Sequence, residues 1–111
     1  MSIPEDIEEY LKHIVKSILG IMTVREIYLF GSFAKGDYHE DSDIDIYIVT
    51  PDRSKRIIEY RKEISFAIGF PKKIGIDILV GYEEDFDRKK TQINFVENEI
   101  MEHGVLLYAS K

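Results

Sequence analysis

The sequence predicts an α+β fold, a single mixed β-sheet of about four strands packed by helices. Three observations carry this expectation. Four apolar runs of strand length, rich in Ile and Val, are spaced along the chain. Longer stretches with apolar residues at helical spacing lie among them. Gly or Pro marks the junctions, at Gly20, Gly31, Pro51, Gly69, Pro71 and Gly104. The 111 residues fit one domain, 1–111, large enough to bury a core of its own.

Taken in order, Ser2-Ile3-Pro4-Glu5 has the form of a capping box and opens a helix over residues 3–19, with Ile7, Leu11, Ile14 and Ile18 on its inner stripe and Gly20 as C-cap. Ile27-Tyr28-Leu29-Phe30 is a short strand ending at Gly31. Residues 31–42 are turn-rich, with room for one short helical turn. A second strand covers about 43–50, where Ile44, Ile46 and Ile48 alternate with Asp43, Asp45 and Tyr47. A helix follows over about 52–68, with Ile57, Arg61, Ile64 and Ile68 along one stripe and Gly69 and Pro71 as terminators. The third strand, about 73–80, has Ile74, Ile76, Ile78 and Val80 on one face and Gly75, Asp77 and Leu79 on the other. One helix over about 83–103 carries Phe86, Ile93, Val96 and Ile100 inward, with Gly104 as C-cap, and Val105–Tyr108 closes the sheet.

Composition removes several function classes. There is no cysteine, which excludes a disulfide framework, a thiolate zinc site and a cysteine nucleophile. No apolar run is long enough to span a membrane, and the N-terminus has no basic region followed by an apolar one, so a cytoplasmic location is expected. The net charge is −6, with short basic clusters at Arg53–Arg56, Lys72-Lys73 and Arg88–Lys90. Such a balance does not suit a grip on a long nucleic acid. It is compatible with a single nucleotide, whose charge a bound metal can offset.

The informative feature is Asp43-Ile44-Asp45 at a strand. Side chains at i and i+2 share one strand face, so the two carboxylates point the same way. At about 6 Å apart they repel by about 3 kcal/mol at an effective dielectric near 20. A hard cation between them, magnesium or manganese, relieves that cost. Asp77 interrupts an otherwise apolar strand, where a lone carboxylate is costly unless paired, protonated or metal-bound. If its strand lies beside the second, Asp77 reaches the same cation cluster, and Gly75 leaves space there. Gly31-Ser32 follows a strand directly and offers backbone N–H groups and a hydroxyl to a phosphate.

Other readings of these residues stand beside that one. Asp41-x-Asp43-x-Asp45 superficially matches the start of a calcium-binding EF-hand loop, but Ile46 and Asp52 occupy the positions where that loop needs Gly and Glu. Asp43 and Asp45 could form a solvated strand edge, Asp77 could pair with Lys72 or Lys73, and Lys35 could be a solvated turn residue. His39 reads as a surface-loop residue close enough to approach a nucleotide, and His13 and His103 read as structural. Tyr10, Tyr28, Tyr60 and Tyr108 read as core or boundary aromatics.

The joint pattern of Gly31-Ser32, Asp43-x-Asp45 in a strand and a lone strand Asp after an intervening helix resembles the DNA polymerase β-like nucleotidyltransferase superfamily. Within it, the chain is most similar to the minimal nucleotidyltransferases. The segment GSFAKGDYHEDSDIDIYIV carries the resemblance, and the element order extends it over nearly the whole chain. The resemblance implies a polymerase β-like palm fold and transfer of a nucleoside monophosphate, with AMP from ATP the leading candidate, through two Mg²⁺ ions (or Mn²⁺). It implies that Asp43, Asp45 and Asp77 are the catalytic metal ligands, that Asp77 also helps deprotonate the acceptor, and that Gly31 and Ser32 hold the β- and γ-phosphates. Lys35 stands where the family often has Arg, keeping the charge without the bidentate fork. These 111 residues include no helical acceptor-binding domain, so the acceptor is expected from another molecule. The resemblance suggests a tyrosine of a partner HEPN toxin, which makes the chain an antitoxin. A non-catalytic binding antitoxin and an aminoglycoside-type small-molecule transferase are the alternatives. A homo-oligomer is compatible with the sequence.

Overall fold

The computed structural model describes residues 4–69 and 74–110. The elements are α1 (Glu5–Leu19), β1 (Glu26–Phe30), α2 (Gly31–Lys35), β2 (Ile44–Thr50), α3 (Ile57–Ile68), β3 (Ile76–Tyr82), α4 (Glu83–Lys89), α5 (Val96–His103) and β4 (Val105–Ala109). The strands form one mixed sheet in the order β3-β2-β1-β4. β1 runs antiparallel to β2 and to β4, and β2 runs parallel to β3. This is the α+β architecture that the alternation of elements predicts.

Strand alternation distributes the apolar side chains to two sides. On one, Ile27, Leu29, Ile44, Ile46, Ile48, Ile78 and Val80 pack against Ile7, Leu11, Ile14 and Ile18 of α1 and Tyr60 and Ile64 of α3. On the other, Tyr28, Tyr47 and Val49 pack against Phe86 of α4 and Ile100 of α5. The second face of β2 is therefore covered as well, except towards its first residues.

Several boundaries differ from the sequence expectation, each for a local reason. Ser2 of the expected capping box lies outside the described residues, and the residue that caps α1 is Pro4, without a side-chain hydrogen bond. α3 starts at Ile57 rather than near Asp52, because Thr50 Oγ1 accepts from the Asp52 N–H (3.1 Å) and Asp52 Oδ1 from the Ser54 N–H (2.8 Å). Such side-chain turns compete with helix formation. Arg61, placed on the inner stripe by periodicity, is exposed, and Tyr60 takes the buried position. β3 begins at Ile76 and runs on to Tyr82.

The largest difference lies in residues 83–103, which form two helices instead of one. The Asn98 side-chain amide donates to the Lys90 carbonyl (2.9 Å) and that of Gln92 to the Arg88 carbonyl (3.1 Å), so side chains satisfy groups that a continuing helix would have bonded. The break lets Phe86 and Ile100 both reach the sheet, and it leaves Ile93 89% exposed rather than inward-facing.

α5 is fixed to the sheet by a buried hydrogen bond, from the Tyr47 hydroxyl to Glu97 Oε2 at 2.7 Å. Burial and the Glu97 carboxylate both push the Tyr47 hydroxyl far above its ordinary pKa, so it stays a donor. Replacing Tyr47 by Phe strands a buried carboxylate oxygen, and the expected loss is about 1–3 kcal/mol of unfolding free energy in urea denaturation. An unchanged midpoint would contradict this assignment of what fixes α5.

Candidate active site

The strand register determines what meets at one end of the sheet. β1 ends with Phe30 opposite Asp45, so Gly31 leaves the sheet beside that carboxylate. The parallel pairing of β2 and β3 sets Asp45 opposite Asp77. Just ahead of it, the Ile44 N–H donates to the Gly75 carbonyl at 2.8 Å, which aligns Asp43 with Gly75. Side chains of paired residues share a sheet face. Asp45 and Asp77 therefore project to the side of Tyr47 and Leu79, where α5 lies. Asp43 and Asp77 are exposed and Asp45 is half-buried.

Two glycines make the room. Gly31 has φ +73°, a conformation in which a β-carbon is strained, and a β-carbon there would overlap Asp45 Oδ2. A β-carbon on Gly75 would overlap Asp43 Oδ1. The backbone is thus shaped around both carboxylates.

Electrostatically the cluster is unbalanced. Burial raises the pKa of Asp45, and the charges of Asp77, Asp43 and Glu99 raise it further. Among the described residues no cation forms a salt bridge with Asp43, Asp45 or Asp77. Lys72 and Lys73, the lysines considered as partners for Asp77, lie outside the described residues. Nor, among the described residues, do three carboxylate or imidazole groups converge into a complete protein cage for a cation. Oxygen donors at a glycine-lined, open sheet end fit magnesium nonetheless, because that ion takes one or two carboxylates from a protein and completes its shell with phosphates and water.

Ser32 sits half-buried in the first turn of α2, and Lys35 ends that helix. Lys35 is neither free nor merely solvated. It forms a 2.6 Å ion pair with Glu99 of α5, which raises its pKa. Glu99 is the site residue that sequence reasoning missed. Its approach depends on where α5 begins, and periodicity hid that start inside one long helix. His39 closes a surface turn, its Nδ1 accepting from the Asp41 N–H at 3.2 Å. His13 is exposed beside Tyr10, and His103 lies near Glu102.

Residues 7–107 match the nucleotidyltransferase domain family. The chain belongs to that family. A curated relative of this nucleotidyltransferase, "Putative protein adenylyltransferase MJ0604" of Methanocaldococcus jannaschii, is 38% identical over 85 residues, 77% of this chain and 79% of the relative. A crystal structure of a "putative nucleotidyltransferase" from Sulfolobus solfataricus superposes with TM-score 0.63 at 26% identity, covering 91% of this chain and 78% of the other. A toxin-antitoxin crystal structure with AMP-PNP shares the fold, with TM-score 0.60 at 22% identity over 90% of this chain and 73% of the other.

The raised pKa of Asp45 gives the nucleotidyltransferase a testable pH signature. The folded state holds the Asp45 proton more tightly than the unfolded chain, so ionisation costs stability as pH climbs above about 3.9. In metal-free buffer, Asp45→Asn is expected to melt higher than wild type at neutral pH, with the gap closing as pH falls to the carboxylate range. A lower melting temperature for Asp45→Asn at neutral pH would contradict a repelling cluster.

Proposed function

We propose that this nucleotidyltransferase transfers AMP from ATP to a hydroxyl of a protein partner, with two magnesium ions shared among Asp43, Asp45 and Asp77, one or two carboxylates to each. The observation that carries the reading is the in-register pair Asp45 and Asp77 beside Gly31, whose missing β-carbon leaves room for the Asp45 carboxylate. The Gly31 N–H and the Ser32 hydroxyl are suited to the β- and γ-phosphates. Lys35, released from Glu99, adds positive charge there. Bound magnesium would offset phosphate charge and stabilise the attacking and departing oxygens of an in-line displacement. The acceptor hydroxyl attacks the α-phosphorus, its proton passes to the Asp77 carboxylate, the bond to the β-phosphate bridging oxygen breaks, and pyrophosphate leaves.

For the acceptor, the reading is a tyrosine of a HEPN-family toxin, supplied in trans, which makes this chain its antitoxin in the cytoplasm. The name of the Methanocaldococcus relative supports a protein substrate, and the fold shared with a toxin-antitoxin assembly with AMP-PNP supports both the partner class and an adenine nucleotide. A net charge of −6 suits a basic docking partner such as an RNA-binding nuclease. The added AMP would bring negative charge and bulk against RNA.

The test is co-expression with the protein encoded beside it, followed by intact-mass measurement of that partner. Increments of one or more AMP units, absent with Asp43→Asn, are expected. A tight complex with an unmodified partner, neutralised equally well by Asp43→Asn, would make the chain a stoichiometric binding antitoxin instead.

A further inference from the structure

The face of the sheet opposite the carboxylates carries a groove of about 490 Å³ between α1 and β4, which the transfer reaction does not use. Leu11, Val15 and Leu19 of α1 and Leu106 and Leu107 of β4 line it. Leu106 is 52% exposed and Leu19 39%, well above what a completed core leaves open. β4 stands at the end of the sheet, and among the described residues no strand pairs with its outer side. Residues 104–109, GVLLYA, contain neither a charge nor a proline, the usual guards of a free edge.

The apolar ridge has a local cause. Tyr28 pairs with Leu106 while the preceding Ile27 pairs with Tyr108, so Leu107 is an extra residue in β4. Such a bulge breaks strict in–out alternation, and the consecutive residues Val105, Leu106 and Leu107 all line the groove.

The charged rim says what covers it. Glu8, Lys12 and Lys16 border the groove one helical turn apart. Lys12 is already matched by Glu9 of its own chain at 3.4 Å. That leaves the rim negative at the start of α1 and positive at its end. A two-fold axis perpendicular to α1 sets the two α1 helices antiparallel, and then Glu8 of each copy meets Lys16 of the other. A partner of one charge sign matches only one end of this rim.

We propose that the α1–β4 groove is a self-association face, occupied by a second copy of this chain in a two-fold arrangement. Leu106 of each copy enters the apolar floor of the other, and reciprocal Glu8–Lys16 pairs set the register. Asp45 projects from the other sheet face, so both copies keep their carboxylate ends open. The inference is independent of the acceptor and of catalysis.

Light scattering after size-exclusion chromatography tests it, with circular dichroism confirming that each variant is folded. The wild type is expected at twice the 13.0 kDa chain mass, and Leu106→Lys at 13.0 kDa. Glu8→Lys and Lys16→Glu, each alone, are expected to weaken the dimer about tenfold, and the two together to restore it. A wild type that elutes at the mass of one chain at its highest soluble concentration overturns the proposal. So does a dimer that Leu106→Lys leaves intact, or one indifferent to the single charge reversals.

Discussion

The constraint around which this domain is organised is a group of like charges, Asp43, Asp45 and Asp77, that forms no salt bridge among the described residues. Asp45 and Asp77 oppose each other across a parallel strand pair, and Asp43 stands two residues before Asp45. Ordinary sheet stability gains nothing from this, because like charges on neighbouring strands repel. Two glycines make room for the arrangement. Gly31 and Gly75 vacate the positions where a β-carbon would displace the Asp45 and Asp43 carboxylates. Among the described residues the cluster stays electrostatically incomplete, and under the proposed function a metal-bound nucleotide completes it.

The topology serves that end of the sheet. Antiparallel pairing of β1 with β2 brings the strand-to-helix junction at Gly31 against Asp45, and parallel pairing of β2 with β3 brings Asp77 alongside. α1 and α3 cover the apolar centre of one face. α4 and α5 cover the other only in part, over Tyr28, Tyr47 and Val49, and leave the carboxylate end accessible. The Tyr47–Glu97 hydrogen bond holds α5 where Glu99 can engage Lys35, which ties the helix beside the site to the short helix that begins at Gly31.

Much of this was legible in the sequence because period and punctuation agree. Ile44, Ile46 and Ile48 alternate with Asp43, Asp45 and Tyr47, and that spacing alone assigns the carboxylates to one face. Gly75 beside Asp77 signalled open space, and in the structure Asp43 Oδ1 takes up the position that a β-carbon at Gly75 would fill. What failed was whatever depends on side chains satisfying the backbone. The turn at Asp52–Ser54 delays α3, and Asn98 and Gln92 end the helical run after Lys89. Neither leaves a periodic trace. Glu99 followed from the second of these errors, since a helix drawn straight through 83–103 gives no reason to bring that residue to Lys35. The bulge at Leu107 was equally silent, because a register shift belongs to the pair of strands and not to either one.

The proposed function requires metal and nucleotide together at the carboxylate cluster. Calorimetric titration of ATP tests it most directly, run in excess Mg²⁺ and again in EDTA, on wild type and on Asp43→Asn/Asp45→Asn. Wild type is expected to bind ATP in Mg²⁺, with binding lost in EDTA and lost in the double variant. Equal affinity under all of these conditions would contradict it.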